Sequence, residues 1–153
     1  MSNNNWGSSV WIFLHVLAGK INPKAYKLNT AYVFGVVKNI CYNLPCPICS
    51  KHAINYLNRV SIDSIKDIDQ FKIMLYNFHN IVNIKKGYKR APIEVLNKYK
   101  NITIQETLWN LKSYYAKRYS YVLDFGFGTN DSKRIIIYNN TIDWITKFQH
   151  LFI

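Results

Sequence analysis

The stretch Leu44–Leu57, LPCPICSKHAINYL, limits the folds open to this chain more than any other. Pro45 suits the first position of a helix, where its missing N–H would have no partner anyway. A helix starting there carries Cys46, Cys49, His52 and Tyr56, with both thiols in its first turn. Such a pair can hold half of a zinc site, cycle between dithiol and disulfide, or sit beside a redox cofactor. A thioredoxin-like fold would place the pair after a buried parallel strand. Here the preceding segment repeats apolar residues at Val33, Val36/Val37, Ile40 and Leu44, a helical period, and no strand–helix–strand pattern follows. The pair therefore belongs to a helical scaffold.

The rest of the first hundred residues reads the same way. Trp11, Leu14 and Leu17/Ala18 fall at helical spacing and predict a first helix over Ser9–Lys20, with Ser8 or Ser9 as its N-cap. The segment INPKAYKLN reads as a connection, and a second helix begins near Thr30. A long helix starts around Asp67 to Asp69 and stops at Gly87, a C′ residue. Its core stripe is Phe71, Met74/Leu75, Phe78 and Val82, with Tyr76, His79 and Asn83 on the adjoining face. Pro92 opens a short helix to about Tyr99.

Composition excludes several classes. Hydrophobic residues at 49% of 153 argue against disorder over most of the length. Three cysteines, an odd and low number, do not make a disulfide-built extracellular domain. VWIFLHVLAG has no basic residue before it and a histidine within it, so it reads as a buried helix and not a secretory leader. No apolar run approaches the ~20 residues of a membrane span. These features predict a soluble protein of a reducing compartment, the cytoplasm.

A net charge of +12 suits an anionic partner, whether nucleic acid, membrane surface or cofactor. A zinc-stabilised, basic nucleic-acid-binding module is accordingly the alternative reading, with Cys46, Cys49, His52 and His79 as ligands. Against it, a helix running from Pro45 turns His52 away from Cys46, so the three nearer groups would not converge. The dithiol reading, with no metal, requires less. The helix N-terminus stabilises a thiolate at Cys46, and a pair spaced this way can close a short disulfide.

Three blocks decide between these readings: WGSSVWIFLH (Trp6 to His15), LPCPICSKH (Leu44 to His52) and FHNIVNIKKGYK (Phe78 to Lys89). In this order and at these intervals they resemble the Erv/ALR family of flavin-dependent sulfhydryl oxidases, most of all the short forms of large DNA viruses. The resemblance covers about residues 5–99. It implies a mainly α fold, a four-helix bundle plus a short fifth helix, holding FAD noncovalently. The matching cofactor positions are Gly7, Trp11 and His15, then His52, then His79, Asn80 and Asn83. Lys85 and Lys89 would neutralise the pyrophosphate, and Lys98 and Tyr99 match a basic–aromatic pair at the cofactor. Met74, Ser8 and Tyr88 depart from residues common in relatives, which often have Trp, Arg and Lys there.

The resemblance also implies a chemistry. A protein dithiol, carried by a small thioredoxin-like protein, reduces the Cys46–Cys49 disulfide at Cys46. Electrons pass to FAD from Cys49 and on to dioxygen, giving hydrogen peroxide. No nucleic acid is required. The resemblance also implies a homodimer formed through the first two helices, which carry more apolar surface than one bundle face needs. If the source is viral, the place of action is the host cytoplasm, with virion association a further expectation. Cys41, on the second helix, reads as a small core residue.

Residues 100–153 lie beyond the resemblance and form a second unit after 1–99. Thr103-Ile-Gln-Glu106 is a capping box whose helix should reach about Tyr119. The stretch from Tyr119 to Thr141 reads as two strands around a Gly-Thr-Asn-Asp-Ser turn, and Thr141 caps a last helix. This helix–β-hairpin–helix extension should pack on the bundle or on a second subunit, through residues such as Trp109, Tyr115, Ile135, Ile137, Trp144 and Phe148.

Overall fold

The computed structural model describes residues 5–119 and 131–152. The described chain is helical. Its α-helices are α1 (Asn5–Lys20), α2 (Pro23–Leu28), α3 (Thr30–Cys41), α4 (Pro47–Leu57), α5 (Ile68–Lys85), α6 (Ile104–Asn110) and α7 (Asp131–Lys147). Single 3₁₀ segments lie at Ile62–Ile65, Ile93–Tyr99 and Gln149–Leu151, and α6 runs into one π-helical turn, Leu111–Tyr115.

Local chemistry accounts for most of these ends. Asn22 accepts hydrogen bonds from the amides of Lys24 and Ala25, and Pro23 fills N1, so the stretch read as a connection forms α2. α1 begins at Asn5, earlier than expected. Ser9 is not its cap: its hydroxyl donates to the Trp6 carbonyl inside the helix at 2.9 Å. Asp67 and Gln70 close a reciprocal capping box at the start of α5, and Gly87 ends that helix with φ +80°. Thr103 and Glu106 do the same for α6.

Five expectations are corrected. α4 starts at Pro47 and not Pro45, because the residue before a proline is driven out of the helical region. Cys46 (φ −109°, ψ 108°) is therefore extended and becomes the N-cap. The second expected strand is helix: Arg134, Ile137, Tyr138, Thr141, Trp144 and Ile145 form one buried stripe at helical spacing. The β-branched run Ile135–Ile137 does not outweigh that period. Thr141 lies inside α7, its hydroxyl bonded to the Ile137 carbonyl at 2.8 Å, and caps nothing. The first strand and the turn, residues 120–130, lie outside the described residues. The helix from Thr103 stops at Tyr115, short of Tyr119, and Trp109 is 69% exposed instead of packed.

α1 runs through the middle of the molecule. One side packs on α5 and on Ile93–Tyr99, the other on α6 and its π turn, while α3 lies between α4 and α7. Tyr26 is fully buried and donates to the Ile65 carbonyl at 2.6 Å, tying α2 to the turn before α5. Burying a side chain of this size contributes roughly 1.5–3 kcal/mol. α1, α4 and α5 carry most of the candidate site residues, while Lys89 lies beyond the end of α5 and Lys98 and Tyr99 lie in the segment Ile93–Tyr99.

Candidate functional site

The site grows from the start of α4. Cys46 and Cys49 are joined as a disulfide with Cα atoms 5.2 Å apart. The Cys46 sulfur also accepts the Cys49 amide at 3.3 Å, so it stands in for the oxygen that usually caps a helix. Unpaired amides of a first turn favour negative charge, so a thiolate released at Cys46 is stabilised there. The loop before it is held down: the Leu44 amide donates to the Ser50 hydroxyl at 2.8 Å, and Tyr42 Oη donates to Asn58 Oδ1 at 2.6 Å.

The two sulfurs face different surroundings. A cavity of about 200 Å³ opens between α1, α4 and α5. Gly7 and Trp11 line it from α1, Cys49 and His52 from α4, Phe78 and Lys85 from α5. Cys49 is in that lining and Cys46 is not. Cys41 reaches the same cavity from the end of α3, but burial pushes its thiol up to about 12, so it stays protonated and inert at neutral pH.

Trp11 separates this cavity from a second, of about 400 Å³, lined by Ser8, Trp11, His79, Lys98 and Tyr99. The aromatic groups of this wall form one stack. Trp11 lies on His79 with ring centroids 4.0 Å apart and planes 5° from parallel, and His15 stacks on Tyr99 at 4.7 Å. His15 Nε2 and His79 Nδ1 are 3.0 Å apart, so one ring nitrogen donates to the other and at least one imidazole is neutral. Burial holds His15 down to about 3, reinforced by His79 and Lys98. Burial likewise lowers His79 to about 4, with Lys98 and Lys86 adding repulsion. Both rings are therefore neutral at physiological pH.

The remaining expected residues divide. The Asn80 amide is engaged on both edges by Ala91: Nδ2 donates to its carbonyl at 3.1 Å and Oδ1 accepts its amide at 2.8 Å. It anchors the chain that returns from Gly87 to Pro92, and Tyr76 Oη reinforces it by donating to the same carbonyl. Asn83 Nδ2 reaches Asn80 Oδ1 at 3.4 Å. Lys89 is exposed. Lys98 sits 5.1 Å from the Tyr99 ring at the rim of the second cavity. Sequence reasoning missed Trp6, Phe78 and Lys86 as cavity lining. Phe78 was read as core, and its edge-on contact with Trp11 at 5.1 Å shows it serving as core and wall together.

Flat aromatic faces, a glycine at the wall and lysines at the rims make a donor set that fits a planar ring system carrying phosphate. His79 is turned onto Trp11 and His15, the two cysteines are bonded to each other, and no three His, Cys, Asp or Glu side chains converge among the described residues.

Comparison with known proteins agrees with this geometry. Residues 8–102 match the family model described as Erv1 / Alr family. The chain is 31% identical over 101 residues to a protein of Invertebrate iridescent virus 6 provisionally named FAD-linked sulfhydryl oxidase 347L, covering 61% of this chain and 89% of that one. It is 30% identical over 81 residues to the provisionally named FAD-linked sulfhydryl oxidase 096R of Invertebrate iridescent virus 3, covering 52% and 55%. With the FAD-linked sulfhydryl oxidase of African swine fever virus (isolate Pig/Kenya/KEN-50/1950) it shares 28% over 104 residues, 68% and 84% of the two chains. No solved structure gives a significant match.

Proposed function

The chain belongs to the Erv1 / Alr family, and from that premise we propose that it is an FAD-dependent thiol oxidase that forms disulfides in protein dithiols. The observation that carries this reading is the split environment of the disulfide, with Cys49 in the lining of an aromatic, lysine-rimmed cavity and Cys46 outside it.

A thiolate of the substrate attacks the Cys46 sulfur, forming a mixed disulfide and releasing Cys49 as thiolate. A second substrate thiolate attacks the substrate sulfur of that bond and releases Cys46. The substrate leaves as a disulfide, and its two electrons rest on the Cys46/Cys49 pair. FAD, when bound, accepts those electrons and delivers them to dioxygen, giving hydrogen peroxide. The helix cap at Cys46 lowers the cost of thiolate at the sulfur that leaves the mixed disulfide.

Trp11, His15, His79 and Tyr99 would hold the aromatic parts of FAD, with Gly7 and His52 beside Cys49. Lys85, Lys89 and Lys98 would neutralise its pyrophosphate. Asn80 and Asn83 position the Gly87–Ala91 return and act through it. Neutral His15 and His79 offer a ring face without adding positive charge to the wall. The substrate is a dithiol protein, such as a small thioredoxin-like carrier, that reaches Cys46 directly. No helix of the described residues is long and apolar enough to cross a membrane. By its likeness to viral relatives, the proposed place of action is the host cytoplasm and the virion. The redox unit is residues 1–99, and 100–153 is a separate extension.

Purified protein tests the reading. It should be yellow, release about one FAD per chain on denaturation, and consume dioxygen with dithiothreitol. Colourless protein that takes up no FAD but holds stoichiometric zinc and binds nucleic acid would establish the alternative instead.

A further inference from the structure

From Phe13 to Ala18, α1 turns no side to solvent. Phe13, Leu14 and Leu17 are 0% exposed, Val16 1%, Ala18 2% and His15 6%. Six consecutive helical positions sample the whole circumference, so α1 is covered all round. The bundle elements cover only its inner side, through α5 and Ile93–Tyr99. Its outer side lies under α6 and the turn Leu111–Tyr115, where Leu108, Leu111 and Tyr115 are buried.

α3 is covered only in part by α7, with a groove of about 620 Å³ left open between the two helices. Tyr32, the large apolar residue that α3 leaves exposed, rests on Trp144 with ring centroids 5.2 Å apart. Polar fasteners hold the seam. The Asn22 amide donates to the Leu151 carbonyl at 2.6 Å, and Tyr115 Oη to the Ile40 carbonyl at 3.1 Å. Arg134, fully buried and paired with Asp131, holds the Tyr115 carbonyl through Nε at 2.9 Å and so locks α7 to the π turn. All the covering elements begin beyond residue 102, where the family match stops.

We propose that residues 103–152 are a built-in partner for the redox bundle. They occupy the outer face of α1 and part of that of α3, so one chain is the complete assembly and a second copy has no place on α1. The homodimer expected from the sequence rested on the family resemblance and on the apolar surplus of the first two helices, and on α1 that surplus is covered within the chain. This inference is independent of the thiol oxidase reading, since it concerns which surface covers α1 and not what α4 and α5 do.

Light scattering on the unmodified full chain is the first test, over the widest micromolar range that solubility allows. The expected mass is that of one 18.0 kDa chain at every concentration; a dimer mass that persists on dilution overturns the proposal. Amide hydrogen exchange at two protein concentrations is the second. Protection of α1 and α3 should be the same at both. Protection that rises with concentration would mean that a second copy supplies the cover, and the proposal fails.

Discussion

α5 and α7 are nearly the same length, 18 and 17 residues, and each packs a buried stripe against the rest of the molecule. They use their polar groups in opposite ways. α5 turns His79 and Lys85 toward cavities, where they line space that another molecule could fill. α7 turns Arg134 and Asp131 inward, where they bond each other and the backbone of the neighbouring turn. The contrast holds for these groups, whereas the exposed Asn140, Asp143 and Lys147 of α7 line a separate groove of about 620 Å³ against α3. The family match ends between the α5 region and the α7 region, at residue 102.

The largest effect should separate the regions outright. Cys46→Ser and Cys49→Ser should each lower dithiothreitol oxidation by roughly 10³-fold or more, with FAD retained. Only Cys46→Ser, which leaves the Cys49 thiolate in the cavity lining, should give a long-wavelength charge-transfer absorption. The band in Cys49→Ser instead would reverse the order of the sulfurs. Cys41→Ser should keep most activity, because its thiol is buried and protonated. No substitution in α7 should reduce the single-turnover rate comparably.

Tyr115→Ala reads the other region. Removing a fully buried aromatic side chain costs about 3–5 kcal/mol, and here it also strips the Ile40 carbonyl of its donor. Denaturant unfolding should show that loss, while the rate per folded, flavin-loaded molecule stays within about twofold. A large fall in that rate would mean the extension shapes the redox site, and the division between the regions would fail.

Much of this division could be read from the chain, and the misses have physical causes. The dithiol, the aromatic and histidine positions of α1 and α5, and the capping box at Thr103 are short-range patterns that the sequence displays openly. Pro47 was overlooked as the start of α4 because Pro45 satisfies the same rule, and only the constraint on a pre-proline residue separates them. The run Ile135–Ile137 suggested a strand, since the stripe that overrides it spans Arg134 to Ile145 and includes a buried arginine. Asn80 cannot be told from a ligand by spacing alone, because its partner, Ala91, lies across a turn.

Acid should weaken the bundle before the extension. His15 and His79 sit below 6.5 in the folded chain, at about 3 and about 4. The unfolded chain therefore binds protons first as pH falls. Stability is complete above about pH 6.5 and is lost progressively as pH drops through the folded values, about 4 and then about 3. Thermal unfolding followed across this range should show the decline, and His79→Gln should flatten it. An unchanged slope in that variant would mean other groups carry the acid sensitivity.

The smallest effect compares the regions at matched chemistry, since each opens a helix with a reciprocal capping box. Asp67→Ala and Thr103→Ala both remove a side chain that accepts a first-turn amide, from Gln70 and Glu106 respectively. Each should cost about 1 kcal/mol. Their consequences should differ, because α5 carries His79 and Lys85 whereas α6 only covers α1. Asp67→Ala should loosen FAD binding slightly, and Thr103→Ala should leave it unchanged. The Thr103 site adds a pH signature. Hydrogen bonds from the Thr103 backbone and hydroxyl hold the Glu106 carboxyl below its usual range. A carboxylate lowered in this way stabilises the fold above its unfolded pKa, and the contribution disappears as pH falls through the folded one. The difference in unfolding midpoint between the parent and Thr103→Ala should therefore be full at neutral pH and shrink in acid. A gap that widened in acid would show that Thr103 acts through packing on α1 and not through its cap.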